Sequence, residues 1–168
     1  TFGGRVHAID ADNGTERWNT TTNGAVAATP RPVGEMVVVG QYDGTITAFN
    51  AADGSRSWRS SVAGSVLAAP TVANGLVYVG TRAGTAHALD ATSGSERWQF
   101  STDAGVYGSI TVTNGRALVP SNDNRVYAVG ATDGRSRWSY ATDAGVLAAP
   151  AVVNGTAYVG STDDTVYG

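Results

Sequence analysis

Carboxylates, hydroxyls and two histidines are the side chains of this 168-residue sequence that could do chemistry, because it contains no cysteine. The lack of Cys excludes disulfides, thiol catalysis and Cys-ligated metals. His7 and His87 could bind a metal, but each stands alone in its part of the sequence, so we expect both to serve in packing. Asp163 and Asp164 could bind a cation, but no EF-hand spacing, P-loop, zinc signature or nucleophile elbow is present. The sequence therefore predicts neither a catalytic residue nor a metal site.

All of these residues belong to a repeat that organises the whole chain. Its fixed points recur every 40 residues and are a tryptophan (Trp18, Trp58, Trp98 and Trp138) and a glycine (Gly14, Gly54, Gly94 and Gly134). A fixed period between about 20 and 50 residues indicates a solenoid, a propeller or an array. Because the four tryptophans hold equivalent positions, they serve the fold of every repeat and not one particular site. We therefore interpret them as structural residues.

Each repeat contains four short segments rich in β-branched and aromatic residues, bounded by turn residues. In the first complete repeat the predicted strands A to D span 27–33, 36–40, 45–50 and 55–60. The next two repeats run from about 68 to 101 and from about 108 to 141. Four antiparallel strands in 40 residues predict an all-β propeller built of four-stranded blades. We treat residues 1–168 as a single domain.

The turns carry specific signals. Asn74-Gly75 recurs as Asn114-Gly115 and Asn154-Gly155 between strands A and B. Asn-Gly readily adopts the positive φ angles of a type I′ turn, so these dipeptides predict tight hairpins. The turns between strands C and D begin with Asp or Asn in three repeats, and that side chain can accept hydrogen bonds from the following backbone N–H groups.

The motif Ala-x-Asp-x-x-x-Gly-x-x-x-Trp resembles the tryptophan-docking motif of the pyrroloquinoline quinone (PQQ)-like propeller repeats. Strand B of the same family resembles residues 77–80 and 157–160 of this chain. Quinoprotein dehydrogenases and the outer-membrane assembly lipoprotein are built from such repeats. The resemblance covers the whole chain, and it implies that each tryptophan ring packs between adjacent blades against a glycine-containing turn.

The two ends of the sequence predict complementary parts of one blade. Residues 4–10 and 15–20 read as strands C and D, whereas 148–153, 157–160 and 165–168 read as strands A, B and a partial C. Three complete blades and one composite blade follow. Because residues 161–168 repeat the positions of 1–8, three arrangements stay open: a four-bladed ring closed within the chain, a homodimer forming an eight-bladed ring, or a fragment excised from a larger propeller.

The loops that vary between repeats are the candidates for ligand binding, since binding residues concentrate on loops of a rigid scaffold. Strands alternate in direction, so the B–C and D–A connections share one face of the propeller. Tyr107, in the most divergent repeat, is expected near the mouth of the central channel. The full set of candidates on this loop face is Tyr107, Tyr42, Arg82, Asn122, Asp123, Asp103 and Asp143. The alternative interpretation is relaxed constraint on exposed turns.

Function is less constrained than fold. The net charge of −3 without a basic stripe argues against nucleic acid, and no apolar run approaches the length of a membrane span. By resemblance, PQQ catalysis would need a free Trp beneath the quinone, often a Cys pair, a Ca²⁺ site and a catalytic Asp. This chain has no Cys, and each Trp is assigned to a docking motif, so we expect neither PQQ nor Ca²⁺.

The sequence therefore favours a non-catalytic binding or assembly scaffold outside the cytoplasm, in the periplasm or at the cell surface. Its partner would be a protein, a peptide or a small ligand on the loop face. Two alternatives remain, a fragment of a PQQ-dependent quinoprotein dehydrogenase and the sensor ectodomain of a membrane protein.

Overall fold

Antiparallel hairpins follow one another along the whole described part of the chain, residues 3–168 of a computed structural model. Blade I consists of β3 (Arg31–Val33), β4 (Met36–Gly40), β5 (Thr45–Asn50) and β6 (Arg56–Ser61). Blade II consists of β7 (Thr71–Ala73), β8 (Leu76–Gly80), β9 (Thr85–Asp90) and β10 (Glu96–Ser101). Blade III consists of β11 (Thr111–Thr113), β12 (Arg116–Ser121), β13 (Arg125–Gly130) and β14 (Ser136–Ala141). Strands are hydrogen-bonded in sequence order within each blade.

Two smaller sheets flank the three blades. The N-terminal hairpin is formed by β1 (Arg5–Ile9) and β2 (Glu16–Thr21), and the C-terminal sheet by β15 (Ala151–Val153), β16 (Thr156–Gly160) and β17 (Val166–Tyr167). The predicted fold class is confirmed, with three complete blades and two terminal sheets that supply the strands of a fourth. Within residues 3–168, no backbone pairing joins the N-terminal hairpin to the C-terminal sheet.

Strands B and C of blade I match the predicted bounds, but predicted strand A was too long. Only residues 31–33 of the predicted 27–33 pair with β4. The residues that precede strand A meet neighbouring blades instead of their own sheet. The hydroxyl of Ser109, for example, donates to the carbonyl of Ala69 at 3.0 Å, one repeat away. Such contacts between blades leave no trace in the local hydrophobic pattern.

Apolar clusters fill the spaces between consecutive sheets. One cluster lies between blades I and II and another between blades II and III. The outer two lie between the N-terminal hairpin and blade I, and between blade III and the C-terminal sheet. Central strands such as β8 (Leu76–Gly80) are therefore buried on both faces and read as continuous apolar runs.

The tight turns adopt the predicted backbone conformation. Asn74 and Gly75 have φ angles of 52° and 73°, so both central residues are in the left-handed region that a type I′ turn requires. The equivalent pairs in the next two repeats, Asn114-Gly115 and Asn154-Gly155, do the same.

An indole–glycine contact joins neighbouring blades. The indole N–H of Trp58 donates to the carbonyl of Ala91 in the next blade at 3.0 Å, and the ring covers Gly94. A Cβ at Gly94 would lie 2.5 Å from the Trp58 ring, so any other residue there would collide with it. Two further contacts have the same form, Trp18 with Ala51 and Gly54, and Trp98 with Ala131 and Gly134.

The turn between strands C and D is held by its first carboxylate. The carboxylate of Asp90 accepts hydrogen bonds from the backbone N–H groups of Thr92 and Ser93, both at 3.0 Å, and from the Arg97 guanidinium at 2.8 Å. The Arg97 guanidinium and these N–H groups lower the pKa of Asp90 to about 2. The turn of the first complete repeat has Asn50 instead, and its side-chain oxygen accepts from the N–H of Ala52 at 2.8 Å.

The third complete repeat rebuilds this turn with a different residue. Gly130 stands where the other repeats have Asp or Asn, and the carboxylate of Asp133 fills the space that a side chain at Gly130 would take. Asp133 accepts from the N–H of Arg135 at 3.1 Å and from the Arg137 guanidinium at 2.8 Å. The ion pair is therefore retained although its usual acidic position is lost.

We expect Trp98→Ala to lower the free energy of unfolding by about 3–5 kcal/mol, because it empties a buried site between blades II and III. Urea denaturation followed by circular dichroism measures the loss. Gly94→Ala is a second probe of the same kind of contact, with Gly75→Ala as its control. Both glycines have nearly the same positive φ, but a Cβ at Gly75 would meet no atom within 4 Å. A loss below about 1 kcal/mol for Trp98→Ala would contradict the stabilising role of the indole contact.

We expect Asp90→Asn to reduce the loss of stability in acid. A lowered pKa means that the folded state favours the ionised carboxylate, so this stabilisation is present above about pH 4 and disappears as the pH falls towards about 2. Asparagine preserves the turn, as Asn50 shows, but cannot titrate. Free energies of unfolding measured across this pH range should fall less steeply for Asp90→Asn than for the parent protein. The exposed control Asp12→Asn should keep the parent slope, and equal slopes for all three proteins would refute the assignment.

Candidate binding face

The loop face is formed where B–C turns and D–A loops lock together. The backbone N–H of Tyr42, in the B–C turn of blade I, donates to the carbonyl of Ala25 in the loop before the blade at 2.9 Å. The carbonyl of Gln41 accepts from the N–H of Val66, in the loop after the blade, at 3.0 Å. The same pair of bonds recurs in blades II and III, through Arg82 with Ser65, Thr81 with Val106, Asn122 with Gly105, and Ser121 with Val146. Each B–C turn is thus fixed from both sides.

Side chains on this fixed backbone reach solvent. Tyr42, Arg82 and Asn122 are exposed on the B–C turns, and Asp103 and Asp143 are exposed on the D–A loops. The two remaining candidates, Tyr107 and Asp123, are half-buried. The face therefore combines a rigid backbone with side chains that differ from blade to blade.

The structure brings Asp103 and Asp123 together. The backbone N–H of Asp103 donates to Oδ2 of Asp123 at 2.9 Å, and the hydroxyl of Tyr127 donates to the same oxygen at 2.8 Å. The other carboxylate oxygen of Asp123, Oδ1, is buried and has no hydrogen-bond partner among the described residues. Burial and the neighbouring Asp123 raise the pKa of Tyr127 to about 12, so its hydroxyl stays a donor at neutral pH.

The same arrangement recurs one repeat later. The N–H of Asp143 donates to Oδ2 of Asp163 at 3.1 Å, and the Tyr167 hydroxyl donates to that oxygen at 2.8 Å. Desolvation opposes ionisation of Asp163, but hydrogen bonds from Tyr167, Ser161 and Thr165 outweigh it and lower the pKa of Asp163 to about 2. Two equivalent pairs of aspartates thus give this part of the loop face a negative charge. We name these four residues, Asp103, Asp123, Asp143 and Asp163, the acidic pairs.

Sequence reasoning singled out Asp103, Asp123 and Asp143 but missed the tyrosines that orient the acidic pairs. A usable signal was the spacing Asp-x-x-x-Tyr, which occurs at 123–127 and again at 163–167. In a hairpin this spacing places the tyrosine of strand C beneath the aspartate of the preceding turn.

Tyr107 and Arg82 also lie next to each other. The ring of Tyr107 covers Gly105, where a Cβ would lie 2.8 Å from the ring and 2.9 Å from the carbonyl of Arg82. Tyr107 is therefore packed against Gly105 of the D–A loop, near the backbone of Arg82, and is half-buried. Tyr42 belongs to blade I and lies in a different B–C turn.

The two histidines pair with glutamates on the neighbouring strand. Nδ1 of His87 lies 2.6 Å from a carboxylate oxygen of Glu96, and His7 makes the same contact with Glu16. His87 is buried, in agreement with the packing role that the sequence predicts, and its Nε2 has no partner in the described structure. His7 is exposed, so the predicted packing role is wrong for that residue. Across residues 3–168, no three His, Asp or Glu side chains cluster in a way that could hold a metal ion. The same residues include no helix long and apolar enough to cross a membrane.

A family model described as outer membrane protein assembly factor BamB matches residues 1–70 and 45–168, which together cover the chain. The chain belongs to this family of PQQ-like repeats. The predicted family is thereby confirmed. No curated protein matches the sequence.

Solved structures show the same fold in natural and designed proteins. BamB from Moraxella catarrhalis is 24% identical, with a TM-score of 0.83 over 95% of this chain and 50% of its own. The computationally designed protein Ika8 is 18% identical, with a TM-score of 0.88 over 98% of this chain and 52% of its own. A quinohemoprotein alcohol dehydrogenase from Pseudomonas putida is 24% identical, with a TM-score of 0.65 over 71% of this chain and 21% of its own. This chain therefore spans about half the length of the first two proteins.

Proposed function

We propose that this chain is a non-catalytic scaffold that binds a protein or peptide on its loop face. The observation that carries the proposal is the contrast between backbone and side chains on that face. The B–C turns are hydrogen-bonded to the loops on both sides, whereas Tyr42, Arg82 and Asn122 differ from repeat to repeat and are exposed. A surface that is already ordered loses little conformational entropy when a partner binds.

The acidic pairs define the partner's chemistry. The carboxylates of Asp123 and Asp163 lie on adjacent repeats in the same geometry, each held by a backbone N–H group and a tyrosine hydroxyl. The exposed Asp103 and Asp143 supply those N–H groups. A segment carrying Lys or Arg fits such a surface, because opposite charges steer association and fix register. Tyr107 and Tyr42 would add aromatic contacts elsewhere on the loop face, since aromatic side chains are common anchors in interfaces.

The family match supports an assembly role outside the cytoplasm. The matched family is described as an outer-membrane protein assembly factor, and we propose the same class of location and role for this chain. We further propose that the ring is completed by a second copy of the chain. The dehydrogenase fragment and the sensor ectodomain are the alternatives, and the PQQ titration below addresses the first of them.

Binding of a short labelled peptide with alternating Lys and Ser tests the acidic pairs. We expect fluorescence anisotropy to detect binding of this peptide but not of a matched Glu and Ser peptide. The double variant Asp103→Asn/Asp143→Asn should weaken binding by about 3- to 10-fold, as expected for two partly exposed charges. The control Asp12→Asn/Glu35→Gln makes the same change in net charge on the opposite face and should bind like the parent protein.

Two results would contradict the proposal. Equal weakening by both double variants would mean that the peptide senses only net charge. No binding of the basic peptide at any concentration tested would exclude the acidic pairs as a peptide site.

We also propose that this chain holds neither PQQ nor Ca²⁺. Three of its four indole rings already cover glycines of the neighbouring blade and donate their N–H groups to backbone carbonyls. A ring in that position cannot also lie flat beneath a quinone in the channel.

A titration of PQQ with Ca²⁺, followed by tryptophan fluorescence, tests this point. We expect no saturable change up to high micromolar cofactor. Saturable binding at one site would favour the dehydrogenase alternative. An equal volume of a solution with Ca²⁺ alone is the control for dilution and ionic effects.

A further inference from the structure

Within the described chain, the indole of Trp138 lacks the contact with a neighbouring blade that the other three indoles make. Trp138 is 41% exposed, whereas Trp58 and Trp98 are each 7% exposed. Its indole N–H has no hydrogen-bond partner among residues 3–168. Beside the ring lies a cleft of about 410 Å³, bounded by Trp138 and Tyr140 on blade III, by Ala157 and Val159 on β16, and by Tyr167 on β17. Aromatic and aliphatic side chains therefore line a site that no other part of the described chain fills.

The first turn between strands C and D, around Gly14, has no indole ring of the described residues packed against it. Gly14 has a φ of 74°, nearly that of Gly54 and Gly94, yet a Cβ at Gly14 would meet no atom within 4 Å. At Gly54 and Gly94 that position lies against an indole ring. The turn at Gly14 thus has the conformation that receives a tryptophan, but none of the described residues supplies the ring.

Ile9, on the strand that leads into this turn, is also left uncovered. It is 62% exposed, whereas its equivalents in the three blades, Phe49, Leu89 and Val129, are at most 3% exposed. Each of these equivalents packs in the same apolar cluster as the tryptophan of the preceding repeat, Phe49 with Trp18, Leu89 with Trp58, and Val129 with Trp98. By the same pattern, the residue expected to cover Ile9 is a tryptophan at the position that Trp138 holds in its repeat.

We propose that Trp138 of one chain docks on the turn around Gly14 of a second copy of the same chain. In the pattern of the internal contacts, the Trp138 N–H donates to the carbonyl of Ala11 of the second copy, and Ile9 of that copy enters the cleft. This inference rests on the ring closure by a second copy proposed above and names the residues that achieve it. Because each chain carries both halves of the contact, two copies close a ring through two identical contacts.

The C-terminal sheet has a largely unpaired edge along β16 at which the second copy could add a strand. Within blade I, β4 forms five residue pairs with strand C, from Met36 to Gly40. In the C-terminal sheet, β16 forms only two pairs with β17, at Val159 and Gly160. The register of blade I would pair all five residues of β16 with residues 6–10 of the second copy, which include most of β1. Residues 165–168 and 5–8 hold equivalent positions in the repeat, so β1 of the second copy replaces β17 when the ring closes. His7 of that copy then takes the position of Tyr167, and Asp163 loses the hydrogen bond from the Tyr167 hydroxyl.

The docked pair would contain a composite blade made of β15 and β16 from one chain and β1 and β2 from the other. Strand order and direction would then match those of blades I to III. A second copy is the occupant we infer because the uncovered groove and the uncovered turn are complementary in position, conformation and apolar surface. They are also the two sides of an interface that this chain forms three times internally.

The oligomeric state of the full chain tests the proposal. We expect sedimentation equilibrium and native mass spectrometry to give a dimer of twice the 17.1 kDa chain mass. A chain that remains monomeric up to the highest soluble concentration would overturn the inference and also the proposed ring closure. The peptide-binding experiment above would be unaffected by that outcome, because it probes the loop face.

A matched pair of glycine variants tests the contact itself. Gly14→Ala places a Cβ where the docked indole would lie, at the 2.5–2.8 Å found for the three internal contacts. We expect it to raise the dimer dissociation constant at least about 30-fold, since both contacts in the ring are overpacked. Gly75→Ala has the same backbone strain, with a φ of 73° against 74°, and equal free space, so it should leave dimerisation unchanged.

A dimer that both glycine variants form equally well would refute docking at Gly14 while leaving ring closure by another contact in place.

Mixing two variants gives a second measurement. Trp138→Ala and Gly14→Ala chains should each dimerise poorly alone, but a mixture restores one intact contact and should form mixed dimers, detected by native mass. No gain on mixing would exclude the head-to-tail arrangement.

Discussion

The contact between an indole ring and a glycine of the next blade is the interaction on which the rest of this structure depends. It imposes two conditions on one turn, a positive φ and the absence of a Cβ, and it adds a hydrogen bond from the indole to a backbone carbonyl. Because the ring spans two sheets, it fixes their separation and lateral position together. Apolar strand residues then fill the space that the rings define, as the clusters between successive sheets show.

Because of this constraint, one face of the propeller must keep its turn residues, whereas the side chains on the other face can vary. The turns that receive the indoles must keep their length and their glycine. An Asp or Asn side chain holds each of them, including the turn in which Gly130 replaces the usual residue and Asp133 makes the contacts. On the loop face the connections between blades use mainly backbone groups, which any side chain can provide. Side chains there can differ at little cost in stability, and this freedom suits a surface that recognises a partner.

Much of this architecture could be predicted from local signals in the sequence. The period of 40 residues indicated the propeller, and the Asn-Gly dipeptides indicated the type I′ turns that the φ angles confirm. Strands B and C of blade I were predicted to the residue, because their apolar pattern reflects burial on both faces. These features depend on residues close together in the sequence.

What could not be predicted depends on residues one repeat or more apart. The shortness of strand A arises from contacts with a neighbouring blade, such as that of Ser109 with Ala69. The exposure of Trp138 has the same origin, since it holds the same position in the repeat as the other three tryptophans but meets no glycine turn within residues 3–168. In the candidate site, the aspartates were predicted as separate loop residues, whereas the tyrosines that orient them bind across a turn and were missed.

The uniform length of the repeat has a consequence for how such a chain can change during evolution. All four tryptophans are spaced by 40 residues, so no insertion or deletion lies between any two of them. A single added residue in a turn between strands C and D would displace a glycine from its indole. Duplication or loss of an entire repeat would instead recreate every contact with the neighbouring unit. Genes for such propellers are therefore expected to lengthen and shorten by whole blades, with point substitutions providing diversity on one face only.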